Sequence, residues 1–111
     1  MCGIAGFMGE GSTEVLERMM KTLHHRGPDT QGLWQNVGVG MAHTRLAIID
    51  LSKGARQPML SADGRFVLVF NGEIYNYREL REELAGYPFV TKSDTEVILA
   101  AYAAWGTKAF A

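Results

Sequence analysis

The run Arg65-Phe66-Val67-Leu68-Val69-Phe70 is apolar over five consecutive positions and stops at Asn71-Gly72. β-branched and aromatic residues at that density favour a buried strand, and Asn-Gly between apolar runs is a hairpin signal. Weaker strand patterns occupy residues 3–8, 32–35, 38–43 and 44–50, with Asn36 near a turn and Glu73-Ile74-Tyr75 resuming after Gly72. Residues 3–8 read as fully buried, and residues 52–58 as polar and irregular. Three segments carry helical spacing instead. Ser12 caps a predicted helix over 13–25, with Val15, Leu16, Met19, Met20 and Leu23 as one core-facing stripe and Gly27-Pro28 as its stop. A second helix spans 77–85 on Leu80 and Leu84 and stops at Gly86. A third begins at Ser93-Asp94-Thr95-Glu96, which has the form of a capping box, with Val97, Ile98, Ala101, Tyr102 and Trp105 as its apolar face. The layout predicts an α+β fold with mostly antiparallel strands.

Apolar residues make up 47% and charged residues 21% of 111, an ordinary globular balance for one domain or part of one. The thirteen glycines are scattered among apolar segments, as turns and close backbone approaches require, and do not form a linker. A net charge of −1 gives no sign of nucleic-acid or membrane-surface binding. The chain has one cysteine, so no intrachain disulfide forms, and a reducing, cytoplasmic setting fits best. No secretory leader and no apolar run near the ~20 residues of a bilayer span are present. The last helix reaches Trp105-Gly106 without a closing strand, so a fragment of a larger sheet is expected.

The single cysteine is Cys2. With the initiator Met removed, it would carry a thiol nucleophile beside a free α-amine, and such an amine titrates near ambient pH and can relay a proton. The alternative is a buried cysteine near the start by chance. Asn71-Gly72 likewise has two readings: a type I′ turn, or an amide and an N–H aimed together at a developing oxyanion. Arg45 lies in an apolar strand and needs a partner, either Asp50 or Glu73 in a structural salt bridge or a bound carboxylate held by two hydrogen bonds. Asp94 is either a first-turn helix carboxylate or an acceptor for a substrate ammonium, shared with Glu73. His24, His25 and His43 are assigned structural roles, a His–Cys dyad being the alternative. No spacing has metal-site or phosphate-loop form.

These residues occur within an ordered set: Cys2-Gly3-Ile4-Ala5-Gly6, His25-Arg26-Gly27-Pro28-Asp29, His43-Thr44-Arg45-Leu46-Ala47-Ile48-Ile49-Asp50-Leu51-Ser52, Gln57-Pro58-Met59, Phe70-Asn71-Gly72-Glu73-Ile74-Tyr75-Asn76-Tyr77 and Ser93-Asp94-Thr95-Glu96. The set closely resembles the N-terminal glutaminase domain of glutamine-hydrolysing asparagine synthetases, class II glutamine amidotransferases. The resemblance covers nearly the whole chain, with Ala47 standing where a serine is common. It implies an N-terminal nucleophile hydrolase αββα sandwich, incomplete here: residues 1–111 would be a partial glutaminase domain whose synthetase domain is absent.

By the same resemblance Cys2 is the nucleophile with its own α-amine as base, and Asn71 with the Gly72 N–H forms the oxyanion hole. Arg45 holds the α-carboxylate of L-glutamine, the backbone of Leu46, Ile48 and Ile49 lines the pocket, and Glu73 and Asp94 accept the ammonium. Hydrolysis would pass through a γ-glutamyl thioester and need no cofactor. ATP and Mg2+ would belong to the missing C-terminal domain, where ammonia would convert aspartate to asparagine, in a full-length protein with room for homodimerisation. The rival readings are a different acceptor, such as a β-lactam precursor or a cell-surface sugar acid, a non-catalytic binding module, and a plain structural domain that keeps Met1. Residues 1–111 alone are expected to be marginally stable and nearly inactive.

Overall fold

The computed structural model describes residues 2–27, 30–45 and 56–110. Strand β1 (Gly3–Met8) leads into helix α1 (Thr13–Thr22) and a single 3-10 turn at His24–Arg26. A hairpin follows, β2 (Thr30–Asn36) and β3 (Val39–Arg45). Both neighbours of β3 are antiparallel to it, and the three-stranded sheet has the order β1-β3-β2. Gly38 at φ +78° makes the tight turn between β2 and β3, a conformation in which a Cβ would be strained. The readings of 38–43 and 44–50 as separate strands are corrected up to residue 45, because β3 is one uninterrupted strand. The continuation over 46–50 lies outside the described residues.

Register decides which side chains share a face. In antiparallel ladders directly paired residues point the same way, and successive residues alternate. Gly3 pairs with Thr44, Ala5 with Ala42 and Phe7 with Gly40, so these occupy one face. There Leu16, Met20 and Ala42 form a buried core, with Ala5, Phe7 and Met19 packed against it. Helix α1 reaches that face because Ser12 caps it, its side chain accepting from the Val15 amide at 3.3 Å. The helix ends at Thr22, three residues short of the expected 25, and continues as the 3-10 turn. The opposite face carries Ile4, His43 and Met41, and by the same alternation Cys2 and Arg45 at its end. It is only partly covered: Ile4 is 46% and Met8 90% exposed, so the expectation that residues 3–8 are fully buried is corrected.

The segment after residue 56 builds a second, smaller sheet. Strands β4 (Met59–Leu60) and β5 (Val67–Leu68) are antiparallel and two residues each. They are joined by a turn in which the Asp63 carboxylate accepts from Ser61 Oγ at 2.7 Å and from the Arg65 amide at 3.0 Å, with Gly64 at φ +74°. The six-residue strand expected at 65–70 thus contracts to two paired residues. Its far end has other partners, because the Phe70 amide donates to the Gln57 side chain and the Phe70 carbonyl accepts from His43. Asn71-Gly72 is not a hairpin turn either. Neither residue has positive φ, which a type I′ turn demands at both central positions, and the chain runs through a turn at Tyr75-Asn76 into helix α2 (Tyr77–Glu83) instead of a strand.

Helix α3 (Asp94–Trp105) is capped by Ser93, whose Oγ accepts from the Glu96 amide at 3.3 Å. The capping box is only half made. Glu96 turns to the preceding segment, accepting from the amides of Val90 and Thr91 and from Thr91 Oγ1, while the Ser93 amide donates to Thr91 Oγ1. Leu84, Val97, Ala100 and Ala101 form a second core with Tyr77, Leu80, Tyr87 and Phe89 around it. Trp105, expected on the apolar face of α3, is 40% exposed. A final 3-10 segment, Gly106–Phe110, follows. The protein is therefore an α+β domain of antiparallel open sheets with two apolar clusters.

Leu16→Ala removes a fully buried side chain from the first cluster and should lower unfolding free energy by about 2–5 kcal/mol, whereas Met8→Ala on the open face should stay within about 0.5 kcal/mol. Chemical denaturation of both variants checks the assignment of faces.

Candidate active site

Four connections converge on the open face of the three-stranded sheet. The first fixes Cys2. Gly3 pairs with Thr44, so Cys2 stands opposite Arg45 at the end of the β1–β3 ladder. The Cys2 carbonyl accepts from Arg26 Nε at 3.1 Å, and the thiol-bearing residue is half-buried. The 3-10 turn that supplies Arg26 is itself held down: Thr44 Oγ1 donates to the Leu23 carbonyl at 3.1 Å, and Gly27 lies so close to the Thr44–Arg45 peptide that a Cβ would collide with it.

The second connection places Arg45. It ends the central strand, opposite Thr30 on one side and one step past Thr44 on the other, and is 7% exposed. A guanidinium so buried must be matched by negative or carbonyl groups, since its charge costs too much unpaired. Leu46, Ile48, Ile49 and Asp50 lie outside the described residues.

The third connection brings in the segment 70–74. His43 points to the same face as Arg45, two residues earlier, about 6.6 Å along the strand. The His43 Nε2–H donates to the Phe70 carbonyl at 3.3 Å, and Gln57 Oε1 accepts from the Phe70 amide. Both sides of Phe70 are thus fixed beside the sheet. Gln57 is itself buried, its Nε2 donating to Thr95 Oγ1 at 3.4 Å and its carbonyl resting on Gly32, where a Cβ could not fit.

The fourth is Asp94 at the first position of α3, 6% exposed, its Oδ2 accepting from the Ile74 amide at 2.8 Å. Asn71, Gly72 and Glu73 span the gap between these anchors and are all exposed. The segment therefore holds an exposed asparagine, glycine and glutamate on a backbone tied at both ends. A Gly72 Cβ would meet the Phe70 ring, so the position favours glycine.

Of the residues singled out in the sequence, Cys2 and Arg45 share one ladder end, and Asn71, Gly72 and Glu73 lie on one segment tied to the same strand through His43 and to α3 through Asp94. Three contributors were missed: Arg26, His43 as an anchor, and Gln57. Arg26 and Gln57 each stand next to a Gly or Pro punctuation point, but their hydrogen bonds cross 24 and 13 residues and leave no local pattern. His43 Nδ1 has no hydrogen-bond partner and Nε2 serves Phe70. His24 Nδ1 is 3.2 Å from Gln31 Nε2. Among the described residues no group of three or more His, Cys, Asp and Glu could hold a metal ion, and no helix is long and apolar enough to cross a membrane.

The antiparallel α+β domain places Cys2 just before its first strand, buried Arg45 at the end of the neighbouring strand, and the segment 70–74 bonded to that strand through His43. A profile of the glutamine amidotransferase domain matches residues 1–111, and the chain belongs to that family. It is 44% identical over 111 residues to asparagine synthetase (glutamine-hydrolyzing) 1 of Bacillus subtilis (strain 168), covering 92% of this chain and 17% of the relative. It is 42% identical over 111 residues to asparagine synthetase (glutamine-hydrolyzing) 1 of Arabidopsis thaliana, covering 96% and 19%. A third relative, asparagine synthetase (glutamine-hydrolyzing) 3 of B. subtilis, is 39% identical over 114 residues, covering 95% and 18%. The chain thus spans less than a fifth of the length of the curated relatives it matches.

Burial holds the His43 imidazole below its ordinary value of 6.5. The hydrogen bond to the Phe70 carbonyl opposes that shift, and the nearby Arg45 charge reinforces it. A group whose native pKa is depressed contributes stability that is complete above the unfolded value and is lost as pH falls below it. Unfolding free energy should therefore decline as pH drops below 6.5 toward the lowered native value, with a shallower decline in His43→Gln. Thermal unfolding of both proteins between about pH 5 and 8 measures this.

Proposed function

We propose that this chain is the glutamine-hydrolysing part of a longer cytoplasmic asparagine synthetase, with residues 1–111 a portion of the glutaminase domain. The observation that carries this reading is the segment 70–74, anchored by His43, Gln57 and Asp94 beside the strand end that holds Cys2 and Arg45.

In this reading the Cys2 thiol, freed of Met1, gives its proton to its own α-amine and attacks the side-chain carbonyl carbon of glutamine. The carbonyl π electrons move to oxygen, and the Asn71 amide and the Gly72 N–H donate to that oxyanion. The C–N bond then breaks, the α-amine returns the proton to the leaving nitrogen, and ammonia departs from a γ-glutamyl thioester. Water then gives a proton to the α-amine and adds to the thioester carbonyl, the resulting oxyanion meeting the same two donors; the C–S bond breaks, the thiolate takes the proton back, and glutamate is released. Arg45 supplies the two-pronged cation for the α-carboxylate, and Glu73 and Asp94 supply the negative charge for the α-ammonium. Backbone groups of Leu46, Ile48 and Ile49 complete the pocket. No cofactor enters this half. ATP, Mg2+, aspartate and any homodimer contact belong to the part of the proposed protein beyond this chain, where ammonia would form asparagine.

In the full-length protein Cys2→Ala should abolish ammonia release from glutamine while leaving synthesis from added ammonia. Intact mass should show Cys2 as the first residue, and retained Met1 in an active enzyme would contradict the proposed base. Arg45→Lys should raise the glutamine KM strongly, because a point charge cannot replace a planar fork. Steady-state kinetics decide this, and an unchanged KM would return Arg45 to a structural role.

A further inference from the structure

We propose that His43 and Gln57 are positioning residues that aim the oxyanion segment by holding the Phe70 backbone from both sides. The inference rests on the proposed oxyanion role of Asn71 and Gly72.

The Phe70 carbonyl belongs to the peptide group that delivers the Asn71 N–H, so fixing that carbonyl fixes the plane from which Asn71 departs. His43 takes the carbonyl and Gln57 takes the amide of the same residue. Both side chains are rigidly seated. His43 is 1% and Gln57 8% exposed, and the Gln57 side chain is held further by Thr95 while its backbone carbonyl lies against Gly32. The bond to a carbonyl requires the proton on His43 Nε2, so the neutral ring carries a bare lone pair on Nδ1. That Nδ1 is buried with no partner. A burial arrangement that leaves one ring nitrogen unsatisfied is costly, and the residue is explained by the work of the other nitrogen. Asn71 and Gly72 have no such support of their own, being exposed, and a misplacement of about 1 Å in a donor is enough to lose much of its effect.

Two amide substitutions separate the ring nitrogens, because a Gln amide nitrogen reaches as far as Nε2 whereas an Asn amide nitrogen reaches only as far as Nδ1. In the full-length protein His43→Gln should keep glutamine hydrolysis within about 5-fold of the parent, and His43→Asn should lower kcat about 30-fold or more with KM within about 3-fold. Melting temperatures of the two should be similar. In an Asn71→Ala background, His43→Asn should cost clearly less than in the parent, since one of the two donors it aims is already removed and only the Gly72 N–H is left to misplace. Equal kcat in the Asn and Gln variants, or the full cost of His43→Asn on top of Asn71→Ala, would overturn the proposal. Normal kcat in Asn71→Ala alone would instead overturn the oxyanion reading on which it rests. If His43→Asn does not fold, Gln57→Glu, which keeps the acceptor, is compared with Gln57→Met, which lacks it, under the same expectations.

Discussion

The structure depends on the Phe70 backbone being shared between two side chains, His43 from the three-stranded sheet and Gln57 from the loop before β4. Without that junction the molecule is two small units. One is the sheet with α1 packed on Leu16, Met20 and Ala42, and the other is α2 and α3 packed on Leu84, Val97, Ala100 and Ala101. Gln57 bridges them directly, since it also bonds Thr95 on α3 and rests on Gly32 in β2. Polar junctions of this kind contribute little net stability per bond, but leaving any one buried member unmatched is expensive, so they specify geometry. The candidate site lies at this junction, where described residues of both units meet.

Charge placement follows the same logic. Arg45 is buried at the end of the central strand, and Asp94 is buried at the start of a helix, where the N-terminal dipole favours a carboxylate. The cation and the anion are thus supplied by different units, and the segment 70–74 is bonded to His43 on the one and to Asp94 on the other.

The sequence disclosed what is local. Ser12 and Ser93 cap helices as their patterns require, and β1, β2 and β3 fall close to the expected spans, because capping and alternation act over a few residues. Motif order also singled out the candidate site residues, of which Leu46, Ile48 and Ile49 lie outside the described residues. Long-range competition stayed hidden. The strand expected at 65–70 lost its end to Gln57 and His43, and the capping box at Ser93 lost its Glu96 to Val90 and Thr91. Asn71-Gly72 has the local form of a hairpin turn, but the anchoring of Phe70 and Ile74 by distant residues holds the pair out of that conformation. The true hairpin, at Asp63-Gly64, carried an equally plain local signal.

The central claim is that Asn71 and Gly72 face the Cys2 thiol across a bound glutamine. A crystal structure of the full-length protein with an electrophilic glutamine analogue bonded to the Cys2 sulfur measures this directly. The account predicts the analogue's carbonyl oxygen within about 3 Å of both Asn71 Nδ2 and the Gly72 nitrogen, with its α-carboxylate on Arg45. An oxygen directed at other donors with Asn71 turned away, or an adduct on any residue except Cys2, would contradict it.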